Sequence, residues 1–301
     1  MHPAKPLWRG TFTALVTPFN ADGSVDVEGL HRTIGMQIGG GVEGLLPCGT
    51  TGEAATLTNE EHLGVVEAVI EAAAGRAVIL AGVGGNDTRN VINLGRRAAT
   101  AGADGILAVA PYYNKPTQRG MLAHFTAIAD AVPTPMVLYN VPGRTSSNIL
   151  PETVLQLAEH PNIVAIKEAS GDLGQVMAIL AGKPTGFDVL SGEDDLTLAM
   201  ICLGASGVIS VVSNEVPDAM SDMVRLALAG DLDEARSAHY RLLELMKANF
   251  IETNPIPVKA ALAMMGVIGE HYRLPLVPMA PDNRRRLATV LTKMGLAQIE
   301  D

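Results

Sequence analysis

Residues 77–110, AVILAGVGGNDTRNVINLGRRAATAGADGILAVA, contain two short apolar runs separated by a segment with helical periodicity. The runs at 77–82 and 105–110 have the length and unbroken apolar character of strands that are buried on both faces. Asp87 provides a side-chain cap at the start of the intervening segment, and Gly102 marks its end. This order of strand, helix and strand predicts a parallel βαβ unit.

The same alternation extends over most of the chain. The capping-box sequence TNEE at 58–61 opens another helix in the series. The eight strand candidates lie at 12–17, 44–47, 77–82, 105–110, 136–140, 163–168, 187–191 and 207–211. Eight βα units over about 200 residues predict a closed TIM (β/α)8 barrel. A doubly wound open sheet is the alternative, but the first strand is followed by Thr17-Pro18-Phe19, where that fold usually has a glycine fingerprint.

Beyond the eighth strand the pattern changes to helices alone. They are expected at 217–229, 232–249, 256–267 and 282–296. The fold class is therefore α/β, a TIM barrel with a C-terminal helical extension. We expect residues 1–215 to form the catalytic barrel and residues 216–301 to pack on it, with no linker between them.

Composition restricts the function classes. The 301 residues are 48% hydrophobic and carry a formal net charge of −10, which argues against nucleic acid or an anionic membrane as a partner. Cys48 and Cys202 form no CxxC motif and flank apolar runs, so we expect two buried free thiols. Residues 1–10 contain no apolar signal segment, and no apolar run approaches the length of a membrane span. A cytoplasmic location is expected.

Three patterns resemble functional motifs without the right context. Gly39, Gly41 and Gly44 match G-x-G-x-x-G but precede a strand, which favours a helix end and a turn over a nucleotide site. The acidic run 193–195 opens a helix, where carboxylates act as caps. The seven histidines show no metal-binding spacing, so no metal site is expected.

Reactive side chains fall where barrel strands end, which is where TIM barrels build their active sites. Lys167 terminates an apolar strand, and alternation places it on one face with Ile163 and Ala165, with Glu168 opposite. Burial would lower its pKa and favour a free amine able to form a Schiff base. A strand-end lysine reaching solvent explains the spacing equally well.

Other strand ends carry complementary groups, each with an ordinary structural explanation as an alternative. Tyr139 can act as a general acid and base, or be a core tyrosine. Arg144 can bind a carboxylate, or lie solvated at the surface. Thr50 and Thr51 lie in a glycine-bracketed turn that suits a carboxylate or is simply a turn. Tyr113, beside Tyr112 in a proline-bracketed loop, suits either the catalytic face or a subunit interface.

Seven motifs together resemble the dihydrodipicolinate synthase / N-acetylneuraminate lyase family, over about residues 10 to 297. They are GTTGE (49–53), YYNKP (112–116), YNVPGRT (139–145), IKEASG (166–171), SGEDD (191–195), GVISV (207–211) and NPIPVK (254–259). YNVPGRT and IKEASG are most similar to the synthase branch, which condenses pyruvate with L-aspartate 4-semialdehyde in lysine and diaminopimelate biosynthesis.

The resemblance implies a role for each matching residue. Lys167 would form the pyruvate imine, and Thr50 and Thr51 would bind the pyruvate carboxylate. A proton relay would join Thr51, Tyr139 and a Tyr113 donated by a neighbouring subunit. Arg144 would hold the aldehyde's carboxylate, and Gly192 and Ile209 would line the pyruvate pocket. The family uses neither metal nor organic cofactor and is usually a homotetramer, a dimer of dimers.

The resemblance also raises the question of feedback by lysine. Tyr112, Asn86 and His62 match the family's inhibitable pattern at a subunit-interface site. Ala54, Asn59 and Asn90 replace the usual serine, histidine and glutamate. Weak or absent inhibition is expected.

Two rival functions fit the same fold. Another pyruvate aldolase of the family, acting on a sugar acid or a 4-hydroxy-2-oxo acid, would keep Lys167 and Tyr139, but such enzymes commonly lack Arg144. A catalytically silent binding protein would not need the intact Lys167, Tyr139 and Tyr113.

Overall fold

A computed structural model describes residues 8–297 as eight strands with helices between them. Residues 1–7 and 298–301 lie outside the described range. Most of residues 1–10, where the sequence predicts no signal peptide, therefore lies outside it too. The strands are β1 (Gly10–Ala14), β2 (Gly44–Leu46), β3 (Val78–Gly82), β4 (Gly105–Val109), β5 (Met136–Asn140), β6 (Ile163–Glu168), β7 (Asp188–Ser191) and β8 (Gly207–Ser210). All pair in parallel, in chain order, and β8 closes on β1. The predicted TIM barrel is confirmed.

The helices follow the strands in alternation and then continue alone. They are α1 (Val27–Gly39), α2 (Asn59–Ala73), α3 (Thr88–Ala101), α4 (Gln118–Ala131), α5 (Pro142–Thr145), α6 (Pro151–Ala158), α7 (Leu173–Gly182), α8 (Thr197–Cys202), α9 (Pro217–Ala229), α10 (Leu232–Ala248), α11 (Ile256–Met264) and α12 (Pro281–Lys293). The capping box at α2 is present, because Thr58 accepts from the backbone N–H of Glu61 and the Glu61 side chain reciprocates. None of the helices within 8–297 is long and apolar enough to cross a membrane.

Barrel closure depends on two glycines that pair across the seam. Gly10 begins β1 two residues before the predicted start and lies opposite Gly207 of β8. Both have positive φ, at 99° and 154°. A Cβ on Gly207 would lie 2.0 Å from the carbonyl oxygen of Gly10, so any larger residue would force the seam apart.

Apolar side chains fill the barrel interior and the space between the strands and the helices. The interior cluster includes Phe12, Leu46, Val137, Ala165 and Ile209, and a larger cluster packs the outer strand faces against the helices. The helices α9, α10, α11 and α12 share a further cluster that includes Val208 of β8, so they pack on the barrel. A domain boundary at residue 215 stays a prediction.

Two expectations about individual side chains are wrong. Ile163 belongs to the outer cluster, because the register between β5 and β6 shifts at Met136/Val137 and interrupts the alternation before Ala165. Ala165 and Lys167 keep the predicted common face. Cys48 is buried as expected, but Cys202 is exposed, because it is the last residue of α8 and lies on its solvent side.

The glycine pattern after α1 is a helix end, as predicted. The helix stops at Gly39, Gly41 follows in a left-handed conformation with φ of 73°, and Gly44 begins β2. No strand-to-helix turn of the kind that binds a dinucleotide forms at these three glycines.

Candidate active site

A cavity of about 190 Å³ opens at the C-terminal ends of the strands. Its floor is apolar and includes Leu46, Leu107 and Ala14. The predicted site residues that line it are Lys167, Tyr139, Thr50, Thr51, Arg144 and Gly192. These six residues come from four separate parts of the chain, at the ends of β2, β5, β6 and β7, and meet where the barrel fold concentrates its chemistry.

Lys167 lies at the end of β6 and is 5% exposed. Burial lowers the pKa of its amine to about 8, partly offset by the carboxylate of Asp194, while Arg144 lowers it further. A pKa near 8 gives a much larger fraction of nucleophilic free amine at neutral pH than an exposed lysine has. Glu168 points the other way, as predicted, and accepts hydrogen bonds from Asn140 and Gln175.

The Lys167 side chain needs the glycine that follows β7. A Cβ on Gly192 would lie 2.5 Å from the Ala169 Cβ and 3.1 Å from the Cε of Lys167. A larger residue would therefore push against the lysine arm near its reactive end. Gly192 has no side chain, and this leaves room for the Lys167 side chain beside it.

Tyr139 is the cross-strand neighbour of Lys167, because the two residues are paired in the register of β5 and β6. The Nζ of Lys167 lies 4.5 Å from the centroid of the Tyr139 ring. Burial raises the pKa of the Tyr139 hydroxyl, and Arg144 and the Thr50 side chain act in the opposite direction. The phenol is thus protonated at neutral pH and able to donate a proton beside the amine.

The two threonines of the turn after β2 differ in exposure. Thr50 is exposed, whereas Thr51 is buried at 3% exposure. The Oγ1 of Thr51 accepts a hydrogen bond of 3.0 Å from the Nδ2 of Asn254. Arg144, on the short helix α5, directs its guanidinium to the carbonyl oxygen of the same Asn254 at 3.4 Å. Asn254 therefore contacts both sides of the cavity.

Sequence reasoning did not select Asn254 or Asp194 as site residues. Asn254 precedes α11 and lies far along the chain from any barrel strand. The only sequence signal for it is that it begins the NPIPVK motif. The sequence predicts a capping role for Asp194, but its Oδ2 accepts from the backbone N–H groups of Val211 and Val212, beyond β8. This fixes a buried carboxylate near Lys167. Within residues 8–297, no cluster of side chains could hold a metal ion.

Two predicted residues do not line this cavity. Tyr113 is 90% exposed, in a left-handed backbone conformation with φ of 69°. Ile209 is fully buried on β8 and packs among the interior residues below the cavity. The lining on this side comes instead from Val211, two residues later.

The three candidate regulatory residues lie together in a neighbouring cavity of about 520 Å³. Its lining includes His62, Asn86 and Tyr112, together with Thr50, Tyr139 and Arg144 of the first cavity. His62 is buried, its Nε2 lies 2.7 Å from the carbonyl oxygen of Gly82, and burial lowers its pKa. The replaced positions Ala54, Asn59 and Asn90 also line this space.

Comparison with known proteins agrees with the fold and the motif order. A model described as the dihydrodipicolinate synthetase family matches residues 7–294. A 4-hydroxy-tetrahydrodipicolinate synthase of Pelobacter propionicus is 51% identical over 290 residues, covering 96% of this chain and 100% of that protein. One from Koribacter versatilis is 52% identical and covers 96% of each.

A solved structure extends the likeness to three dimensions. The crystal structure of dihydrodipicolinate synthase from Aquifex aeolicus matches with a TM-score of 0.95 at 46% identity, covering 97% of this chain and 100% of that one. The family model spans nearly the whole sequence and relatives share about half of its residues. The chain therefore belongs to the dihydrodipicolinate synthetase family.

Proposed function

We propose that this chain condenses pyruvate with L-aspartate 4-semialdehyde to give 4-hydroxy-tetrahydrodipicolinate, through an imine on Lys167. The observation that carries the proposal is the pairing of a buried amine of lowered pKa with a buried phenol beside it. The Nζ of Lys167 lies 4.5 Å from the ring centroid of Tyr139, above an apolar floor. Aldolases that act through an imine need this combination of free amine and proton donor.

The chemistry follows in balanced steps. The Lys167 amine adds to the pyruvate ketone, and water leaves to form the imine. The positive nitrogen then acidifies the methyl group, which loses a proton to give an enamine. Its carbon attacks the aldehyde carbon, and the aldehyde oxygen takes up a proton. Finally the substrate's own amino group adds to the imine carbon, the ring closes and the Lys167 amine is released.

These steps also require proton transfer and binding of two carboxylates, and the polar residues of the cavity can provide both. Tyr139, Thr51 and the Tyr113 of a neighbouring subunit would carry the protons. Thr50 and Thr51 would hold the pyruvate carboxylate at the cavity wall, and Gly192 and Val211 would shape the pocket around it. Arg144 would meet the carboxylate of the incoming aldehyde. The iminium is the electron sink, so the mechanism assigns no step to a metal or an organic cofactor.

A coupled assay tests the proposed reaction. The purified protein is given pyruvate with L-aspartate 4-semialdehyde, or with aldehydes that carry no carboxylate. Consumption of pyruvate reports turnover with every aldehyde, and reduction by a dihydrodipicolinate reductase identifies the product formed from the semialdehyde. We expect turnover only with the semialdehyde. Turnover with a sugar-derived aldehyde instead would assign the chain to another aldolase of the family.

Assembly gives a separate prediction. Tyr113 is exposed and is not among the residues that line its own subunit's cavity, so we propose a homo-oligomer, a tetramer formed as a dimer of dimers, that supplies it in trans. The single variants Tyr113→Phe and Tyr139→Phe should each be nearly inactive. Mixed oligomers should regain part of the activity, because some sites then combine two intact tyrosines. Mixed oligomers verified by native mass spectrometry that show no recovery would place Tyr113 in its own subunit's site.

Regulation by L-lysine is expected to be weak. The cavity next to the site presents the amides of Asn59 and Asn90 and the methyl group of Ala54 where an inhibitable enzyme has more strongly polar partners. The ammonium group of lysine therefore loses a charge-assisted partner, which is worth about 1.5–3 kcal/mol. Initial rates measured at increasing L-lysine should stay near the uninhibited value. Half-inhibition below about 1 mM lysine, which corresponds to roughly 4 kcal/mol of binding, would refute this.

A further inference from the structure

The proposed second substrate carries two charges, and Arg144 accounts for only one of them. L-aspartate 4-semialdehyde has a carboxylate and an ammonium group on the same carbon. Its nitrogen closes the ring on the imine carbon, so the ammonium group must enter the cavity together with the aldehyde. A cation that leaves water without a partner is strongly disfavoured. The cavity therefore has to offer this group an acceptor.

Glu193 is the acidic residue at the cavity. It directly follows Gly192, two residues beyond the end of β7, and it lines the cavity together with Arg144 and Lys167. Among the described residues that line this cavity, it is the only aspartate or glutamate. Glu193 is half-buried, whereas its neighbour Asp195 is exposed. Its carboxylate is thus the candidate partner for a substrate cation.

Helix capping does not explain this carboxylate. The sequence predicts caps from the acidic run 193–195, and Glu193 does precede a short 3-10 turn, Asp194–Leu196. However, its side chain makes no capping hydrogen bond there. The backbone N–H of Gly171 stabilises the carboxylate instead. A carboxylate has about four acceptor positions, so this donor leaves capacity for a ligand.

The surroundings of Glu193 leave its charge without a cation. Burial raises its pKa, and the nearby carboxylates of Asp195 and Glu168 raise it further. Among the described residues, the N–H of Gly171 lowers this pKa and no basic side chain does so. An opposite charge close to the carboxylate would favour its ionised form. A bound ammonium group would supply that charge.

Arg144 and Glu193 act on the same part of the cavity without pairing with each other. Burial is the main cause that raises the pKa of the Tyr139 hydroxyl, while Arg144 lowers it and Glu193 raises it. The guanidinium of Arg144 donates to the backbone carbonyl oxygen of Asn254, not to Glu193. A positive and a negative side chain therefore remain available to a ligand that carries both charges.

We propose that Glu193 is a specificity-determining residue, which binds the ammonium group of the incoming aldehyde while Arg144 binds its carboxylate. This deepens the proposed function and rests on it. The site would then select aldehydes that carry an amino group beside the carboxylate. Pyruvate has no cationic group, so imine formation on Lys167 does not need Glu193.

Two aldehydes that differ in one group test the assignment. Glu193→Gln keeps the size of the side chain and removes its charge. Loss of a charge-assisted contact should lower kcat/KM for L-aspartate 4-semialdehyde by about 10- to 100-fold. Succinic semialdehyde has the same aldehyde and carboxylate but no amino group, and it serves as an inhibitor of the condensation. Its inhibition constant should be the same in the variant and in the wild type.

Two outcomes would overturn the assignment. One is a wild-type kcat/KM for L-aspartate 4-semialdehyde in Glu193→Gln. The other is an inhibition constant for succinic semialdehyde that worsens as much as kcat/KM falls, because a general disturbance of the cavity would affect both aldehydes.

Further readouts separate recognition from structure. The trapped pyruvate imine and the melting temperature of Glu193→Gln should match those of the wild type. Glu193→Asp keeps the charge on a shorter arm and should recover part of the lost kcat/KM. Asp195→Asn removes the charge of the exposed neighbour, which does not line the cavity, and should leave kcat/KM near the wild-type value. An equal loss in Asp195→Asn would show a general effect of negative charge and overturn the assignment.

The proposed function can fail separately from this assignment. A wild type that forms the imine but does not turn over L-aspartate 4-semialdehyde refutes the choice of second substrate before any variant is made. If the wild type and Glu193→Gln turn it over equally well, the proposed function stands and only the role of Glu193 is refuted.

Discussion

Replacing Lys167 with alanine is expected to reduce condensation by at least about 10⁴-fold, the scale on which removal of a catalytic nucleophile acts. In the proposed mechanism this amine forms the covalent bond to pyruvate, and among the described residues that line the cavity Lys167 is the only lysine. The fold should persist, because alanine removes a buried amine whose desolvation is unfavourable and is compatible with the same strand backbone. The coupled assay and a thermal melt of the same preparation check both expectations.

Lys183→Ala is the matched control. Lys183 follows α7, and its Nζ donates to the backbone carbonyl oxygen of Phe187, away from the cavity. Its loss should leave turnover within a factor of about two. Residual activity of Lys167→Ala within tenfold of the wild type, with Lys183→Ala normal, would contradict a covalent role for Lys167.

Arg144→Ala is expected to lower kcat/KM for L-aspartate 4-semialdehyde by roughly 30-fold or more. Removing one partner of a hydrogen-bonded charge pair costs about 2–5 kcal/mol, and each 1.36 kcal/mol is a factor of about ten. Arg144 is exposed at the cavity mouth, so the lower end of that range applies. The KM for pyruvate and the amount of trapped imine should change little, because pyruvate is bound deeper.

The conservative variant Arg144→Lys serves as the comparison. A lysine keeps the charge but loses the bidentate geometry, so it should restore only part of kcat/KM. Equal damage to both substrates in Arg144→Ala would mean that Arg144 supports the structure through Asn254. No damage at all would favour an aldolase whose second substrate carries no carboxylate there.

Local patterns were sufficient to predict the barrel and the centre of the site. Unbroken apolar runs and helix caps report secondary structure directly, and a TIM barrel places its strand ends on one face. Lys167 and Tyr139 could therefore be brought together from sequence alone, and the register of β5 and β6 confirms that they are neighbours. The roles of these residues rest on the family resemblance and stay proposals.

Features that depend on contacts between distant segments could not be predicted. The hydrogen-bonded residues Asn254 and Thr51 are separated by 203 positions, and the buried ion pair of Lys259 and Glu53 by 206. Nothing in the sequence near Glu53 indicates which cation it would meet. The position of Ile163 on the outer face could not be predicted for the same reason. It depends on the register shift between β5 and β6, which the sequence of β6 alone does not reveal.

Peptide mapping after borohydride reduction tests the central claim most directly. The protein is incubated with pyruvate, reduced, digested and analysed by mass spectrometry. We predict a single pyruvate adduct, on Lys167, formed at neutral pH because burial lowers the pKa of that amine to about 8. An adduct on Lys115, Lys183 or Lys259, or an equal distribution over several lysines, would contradict it.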